Sequence, residues 1–337
     1  MSQETRQWLS ENTLIGFTDK RGNAWHYREG DLNHYPDAIP VGHVEKRLFD
    51  WEALEQPLFI PGSLEPIPNH KAIVRSDNDH VMGIFRPGYQ PHQYRQWLLA
   101  NVSNILDDDL QIGSAGLLRQ GAVAWVSVEV PENITTPEGV VFRPFLLATT
   151  SFDGSVATTY KRVVTNVVCD NTMNAALREG GSSHGETFKV RHSSKSLGRL
   201  TDARDALGIV HGIADDFAAQ VAELSAVSVP DAAFDRIVKD LVPLPEPKTK
   251  DGRANPGLKR AASKRDVIWR LWRHDDRVAP WSGNAFGAWQ AFNTYMQHEM
   301  DVRGGAARAE RNMQRVVDGE IEKADAEVVD RILALAV

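Results

Sequence analysis

Basic side chains interleaved with aromatic rings form the grouping in this chain whose types and spacing suit a definite chemistry. Lys259, Arg260, Lys264 and Arg265 lead into Trp269 and Trp272, with Arg270 and Arg273 beside them. Cations track the phosphates of a nucleic acid while rings stack on its bases, so such a run suits a single strand. On a helix, Arg265, Trp269 and Trp272 share one face, and Lys259 and Arg260 share another with Lys264. The competing account makes both tryptophans core anchors beneath a basic outer face. A second basic group begins at Tyr160, Lys161 and Arg162 and continues through Arg178, Lys189, Arg191, His192, Lys195 and Arg199. Neighbouring strand residues point to opposite faces, so a phosphate-binding surface there uses Lys161 or Arg162, not both.

The sequence carries no complete catalytic motif. The string from Gly180 through Gly185, Glu186 and Thr187 has the spacing of a phosphate-binding loop, but Glu186 stands where that motif needs lysine. The reversed charge, and a predicted helix where the motif wants a strand, argue against nucleoside triphosphate binding there. The eleven histidines are scattered. Asp107, Asp108 and Asp109 read as an acidic helix end, with a divalent-cation site as the sharper alternative. Cys169 is the single cysteine, which excludes an intramolecular disulfide and a cysteine zinc site. As a nucleophile it would need a base such as His184 or His192; a small buried residue is the plainer reading.

Net charge is −7 over 337 residues, which by itself argues against a nonspecific nucleic-acid coat. The charge is unevenly placed. Residues 143–204 hold nine Lys/Arg against five Asp/Glu, residues 248–273 hold nine against two, and the rest carries −18. Such asymmetry marks an anion-binding face on an acidic body, or else solvated charge with a basic linker. At 42% hydrophobic and 25% charged, the composition is that of an ordinary globular protein able to bury a core. The first residues lack the pattern of an export signal, and no stretch approaches the roughly 18 apolar residues of a membrane helix, so the cytoplasm is the expected compartment.

These residues must be positioned by secondary structure. Turn signals at Gly22-Asn23, Pro36-Asp37, Pro61-Gly62 and Pro87-Gly88 separate short strands predicted at 23–27, 71–75 and 80–85. A helix follows over 91–107, with Tyr94, Trp97, Leu98, Val102, Ile105 and Leu106 on one face. Residues 122–130, 140–151 and 156–169 read as an antiparallel meander. Asp153-Gly154 turns its last two strands, since these types accept the positive φ of a tight hairpin. A short helix over 171–178 should close the unit, and 188–192 reads as a strand. Thr201 caps a helix striped by Ala203, Leu207, Val210, Ala214, Phe217, Val221 and Leu224, a heptad-like spacing that serves core packing or an oligomer contact. Pro243, Pro245 and Pro247 mark 228–262 as a basic Pro-rich linker or loop. The remainder is helical, with stripes at Phe286, Trp289, Phe292 and Met296, and at Ile321, Ala324, Val328, Ile332 and Leu335. The reading is therefore an α+β chain divided as 1–110, an α/β region; 111–227, meander plus long helix; 228–262, linker; and 263–337, helices.

Several strings resemble the phage/plasmid-like protein family whose domain is described as one of unknown function (domain of unknown function 932). They are Asn12 to Phe17 with Gly22 to His26, Leu117 to Trp125, Arg162 through Val168, Cys169, Asp170, Asn171 and Thr172, Arg191 to Ser193, and Gly287-Ala288-Trp289 through Asn293 to His298. The resemblance spans nearly the whole chain. It implies a mobile genetic element and transfers no catalytic residues. The meander, hairpin and following helix are also similar to the β-β-β-α centre of Rad52/Redβ-type annealing proteins, which form rings or filaments around a basic groove.

Together these point to a non-enzymatic, oligomeric, single-stranded DNA-binding or annealing protein of a phage or plasmid. It would need no cofactor and would not engage membranes. Its DNA contacts would be Lys161, Arg162, Arg178, Lys189, Arg191, Lys195, Arg199, Lys259, Arg260, Lys264, Arg265, Trp269 and Trp272. Two alternatives stand beside it. A metal-dependent nucleic-acid enzyme or anti-restriction factor, with magnesium as the natural ion, needs Asp107, Asp108, Asp109 and histidines to converge. A protein-binding regulator predicts an exposed apolar patch in place of a basic groove.

Overall fold

Stretches rich in Val, Thr and aromatic residues, bounded by Gly- and Asp-containing turns, pair among the described residues into an eight-stranded antiparallel sheet. The computed structural model describes residues 11–21, 30–62, 65–106, 110–166, 171–173, 188–190, 207–248, 250, 253–302 and 308–336. In chain order the strands are β1 (Thr13–Ile15), β2 (Ala53–Phe59), β3 (Pro66–Arg75), β4 (Val81–Phe85), β5 (Gln111–Leu118), β6 (Val123–Glu129), β7 (Ile134–Thr135), β8 (Val141–Ser151), β9 (Thr158–Asn166), β10 (Asn171–Met173) and β11 (Phe188–Val190). The large sheet runs β1-β5-β6-β8-β9-β10, with β7 beside β8 and β11 beside β9; β2-β3-β4 make a separate sheet.

The meander β6-β8-β9 has the predicted order, with Trp125 opposite Thr149 and Ala148 opposite Tyr160. Its last turn is wider than a two-residue hairpin, because pairing ends at Thr149 and Thr159. Asp153 holds that turn by accepting from the Ser155 amide at 2.8 Å, and Gly154 supplies a φ of 75°. Strand β5 was hidden in the sequence by Gly113 and Gly116, residues that weaken a strand pattern. Gly116 is needed for close approach: a Cβ there would lie 2.8 Å from the Trp125 ring.

The predicted helix over 171–178 is corrected at its start. Asn171–Met173 pairs antiparallel with β9, Asn171 opposite Asn166. An open strand edge offers ladder partners that a three-residue helical turn cannot match. A strand, not a helix, therefore follows the third strand of the meander. Residues 174–178 lie outside the described residues, as do 23–27, 107–109, Cys169, Gly180 to Thr187, His192 and Thr201.

The principal helices are α1 (Val41–Leu48), α2 (Leu207–Ala226), α3 (Asp231–Leu241), α4 (Pro256–His274), α5 (Ala285–Thr294), α6 (Arg308–Asp318) and α7 (Glu320–Leu335). Both faces of the large sheet are covered, so every residue of β6 is buried. Ala124, Val126 and Val128 enter the main core with Phe217 of α2, whose ring lies 4.7 Å from Phe142. Val123 and Trp125 pack on the opposite side with Val316 and Val317 of α6. The α2 stripe lies in the chain's own core at Phe217, Val221 and Leu224, which favours core packing over an oligomer contact for that stripe.

Helix α3 overturns the reading of 228–262 as linker. Ala233, Phe234, Ile237 and Val238 recur at helical spacing and are buried; Pro230 caps the start, and Pro243 follows just past the end. The prolines mark the limits of a helix rather than its absence. One continuous core joins Leu14, Ile73, Val126, Phe234 and Ile332, drawing on every span of the predicted division. No described helix is long and apolar enough to cross a membrane.

Candidate nucleic-acid interface

Helix α4 organises the candidate surface. Asn255 caps it by accepting from the Gly257 amide at 2.9 Å, with Pro256 in the first turn. A backbone bridge between Lys248 and Ala254 folds the preceding segment back to the helix start, and Asn255 ties that segment down by donating to the Glu246 carbonyl at 3.0 Å. Ile268, Leu271 and Trp272 are buried, while Lys259, Arg260, Ser263, Asp266, Arg270, Arg273 and His274 are exposed. The outer face is therefore a mainly cationic stripe over a helix of 19 residues, about 28 Å long at 1.5 Å per residue.

The two tryptophans differ. Trp272 is core: it lies flat on Phe234, with ring centroids 4.2 Å apart and planes 11° from parallel, and donates to Asp231 Oδ1 at 3.0 Å. Trp269 is half-buried. It meets the Phe234 ring edge-on at 4.9 Å and carries the Arg273 guanidinium 4.7 Å above its own ring. An open depression of about 370 Å³ is lined by Trp269, Arg270, Arg273 and His274.

The predicted cations separate into exposed and engaged sets. Lys259 and Arg260, together with Lys248 and Lys250, are exposed, and among the described residues their side chains make no hydrogen bond or ion pair. Lys264 is half-buried over the Tyr295 ring, 5.2 Å from its centroid, and burial holds its ammonium pKa below the usual value. Arg265 is structural, donating to the Val242 carbonyl at 2.8 Å and the Lys239 carbonyl at 3.2 Å at the end of α3.

On β9, Lys161 and Arg162 face opposite sides as strand geometry requires, and both point inward. Lys161 is buried and donates to the Val316 and Val317 carbonyls at 3.1 and 2.7 Å, neutralising the end of α6. Arg162 pairs with Asp216 of α2 at 2.5 Å. Packing thus accounts for both charges, which are not offered to a strand in solvent. Lys189 lies on β11. Arg178, Arg191, Lys195 and Arg199 lie outside the described residues.

Arg270, Arg273 and His274 complete the depression, and Lys248 and Lys250 extend the exposed cations. The signal available for the lysines and arginines was the net positive charge of 248–273; Phe234 packs against Trp269 and Trp272 and so fixes which side of α4 faces inward. Among the described residues no three His, Cys, Asp or Glu gather to hold a metal ion.

The family-like string from Gly287 to His298 serves packing. Trp289 Nε1 and Asn293 Nδ2 donate to Asp325 Oδ1 at 3.0 and 2.8 Å, and Gln297 Nε2 donates to Asn293 Oδ1 at 2.6 Å. This buried polar group joins α5 to α7. Residues 81–318 match the family model described as Domain of unknown function (DUF932). No curated protein and no solved structure matches the chain.

Proposed function

Since the chain belongs to the DUF932 family, whose description names no activity, we propose its role from its own surface: single-stranded nucleic-acid binding along α4 and the segment before it. The observation that carries this reading is the exposed run Lys248, Lys250, Lys259 and Arg260, whose side chains make no hydrogen bond or ion pair among the described residues, on and before the helix that also carries the half-exposed Trp269. Phosphates meet the cations and a base meets the ring. DNA of a phage or plasmid is the natural substrate under the family resemblance. Strand annealing is the finer form of the proposal; its β-β-β-α analogy is weakened by the strand at Asn171–Met173.

Fluorescence anisotropy with labelled single- and double-stranded oligonucleotides, with and without magnesium, tests the proposal. Affinity for single strands should fall steeply with salt. The Lys259→Glu, Arg260→Glu double variant should weaken binding and reduce the salt slope by roughly 0.7 per lost phosphate contact. Absence of single-strand binding by the wild type at low salt sinks the reading, and loss of full-length oligonucleotide with magnesium turns it toward the enzyme alternative.

Self-association is the second part of the proposal. Leu54, Val74 and Val81 lie directly across from one another, with Ala72 and Ile84 paired on the same face of the small sheet. Ile84 is 58% exposed and Val81 51%, an apolar face suited to a second copy of the chain. Light scattering should give an oligomer that Ile84→Asp dissociates; a wild-type monomer at micromolar concentration with and without DNA removes this part.

A further inference from the structure

The depression beside Trp269 holds its two guanidinium groups on carboxylates. Arg273 Nη2 lies 2.7 Å from Asp231 Oδ2, and Arg270 Nη2 lies 2.9 Å from Glu299 Oε2. Both arginine side chains remain half exposed, at 52% and 50%. Such solvent-facing pairs are weak and exchangeable. A phosphate offers each guanidinium the same planar, charge-assisted acceptor geometry as a carboxylate. Arg273 also lies over the Trp269 ring, so its outer plane is placed where a base can stack, giving a base–guanidinium–indole sandwich. The room available, about 370 Å³, suits a ligand on the scale of one nucleotide and not a run of bases.

We propose that this depression is a subsite for one nucleotide, and that Asp231 and Glu299 occupy the positions its phosphate takes. The proposal rests on the strand-binding reading for the identity of its ligand and adds a built-in competitor to it. Glu299 is dispensable to its other partner: Arg277, 3.1 Å from Glu299, keeps two bonds of 2.7 Å to Asp275. Glu299→Gln therefore frees Arg270 while leaving Arg277 paired. Asp231→Asn similarly frees Arg273 and retains an oxygen to accept from Trp272.

Isothermal titration of adenosine monophosphate, adenosine and inorganic phosphate tests this. Wild type should bind the monophosphate more tightly than either part alone. Glu299→Gln and Asp231→Asn should each tighten the monophosphate by about threefold to tenfold while leaving adenosine unchanged, as expected when a competing charge is removed. Trp269→Ala should abolish the preference for the monophosphate over inorganic phosphate. Thermal unfolding checks that the variants are folded, and either carboxylate variant suffices if the other is not. Folded carboxylate variants that bind the monophosphate no better than wild type overturn the proposal, as does absence of monophosphate binding by all of them. An oligothymidylate titration separates the two readings. Strand binding without any monophosphate effect removes the subsite alone, whereas monophosphate binding without strand binding keeps the subsite and removes the strand reading.

Discussion

At the scale of single residues, the two tryptophans of α4 carry opposite expectations. Trp272 fills the core against Phe234 and satisfies its indole N–H on Asp231. Trp272→Ala should cost about 3–5 kcal/mol of stability, the range for a large aromatic deletion, with binding by the surviving folded protein unchanged. Trp269 is half in solvent, so Trp269→Ala should cost less stability but lose about 1–3 kcal/mol of affinity for each base it stacks. Urea unfolding and anisotropy on both variants check this; equal effects of the two substitutions in both assays would contradict the division. The sequence made both tryptophans candidates because both stand among cations. It could not separate them, since the distinction is set by Phe234, 38 and 35 positions before Trp272 and Trp269 in the chain. Lys161 gives the same lesson in reverse: a charge legible as phosphate-binding is buried against the end of a helix 155 residues later.

At the scale of elements, α5 is the clearest case of sequence pattern acting through packing. Asn284 caps it by accepting from the Gly287 amide at 3.0 Å. All ten of its residues are buried, the polar Gln290, Asn293 and Thr294 among them, so the helix is enclosed on every side. Gly287 permits this placement, because a Cβ there would lie 2.0 Å from the Trp281 carbonyl oxygen. Backbone cannot yield as a flexible side chain does. Gly287→Ala should therefore lower stability by at least the roughly 1–3 kcal/mol typical of overpacking. A melting temperature within a degree or so of wild type would show that the α5–Trp281 approach relaxes easily. The strands of the meander were legible from their β-branched runs, as were the helices near the end from their stripes. Helix α3 was obscured by flanking prolines, and β5 by its glycines, because local propensity reports the ends and the weak points of an element as readily as its body.

At the scale of the whole molecule, acid stability follows from paired carboxylates. The Arg75 hydrogen bond holds Asp77 below its usual pKa, and the Arg277 hydrogen bond does the same for Asp275. At Asp153 burial is the largest influence and acts upward, but bonds from Ser155 and Arg119 together outweigh it and the net shift is down. With folded pKa values below unfolded ones, the native state binds fewer protons than the unfolded chain between the two. The stabilisation is present above the unfolded value and is lost as pH falls through the folded ones. The urea midpoint should accordingly hold from neutral pH to about 4.5 and fall below about pH 4. A decline starting near pH 6 would instead assign the transition to histidines.

Sequence by itself determined the α+β class, the antiparallel meander, the family and the concentration of positive charge at 248–273, because composition, period-two and period-three-to-four patterns and motif strings are local properties of the chain. Tertiary structure alone decided which of those charges face water. Lys161, Arg162 and Arg265 are consumed by Val316 and Val317, by Asp216, and by Lys239 and Val242, whereas Lys259 and Arg260 keep an exposed helix face. The physical reason is that a cation's role depends on what lies within a few ångströms of it, and those neighbours arrive from distant parts of the chain.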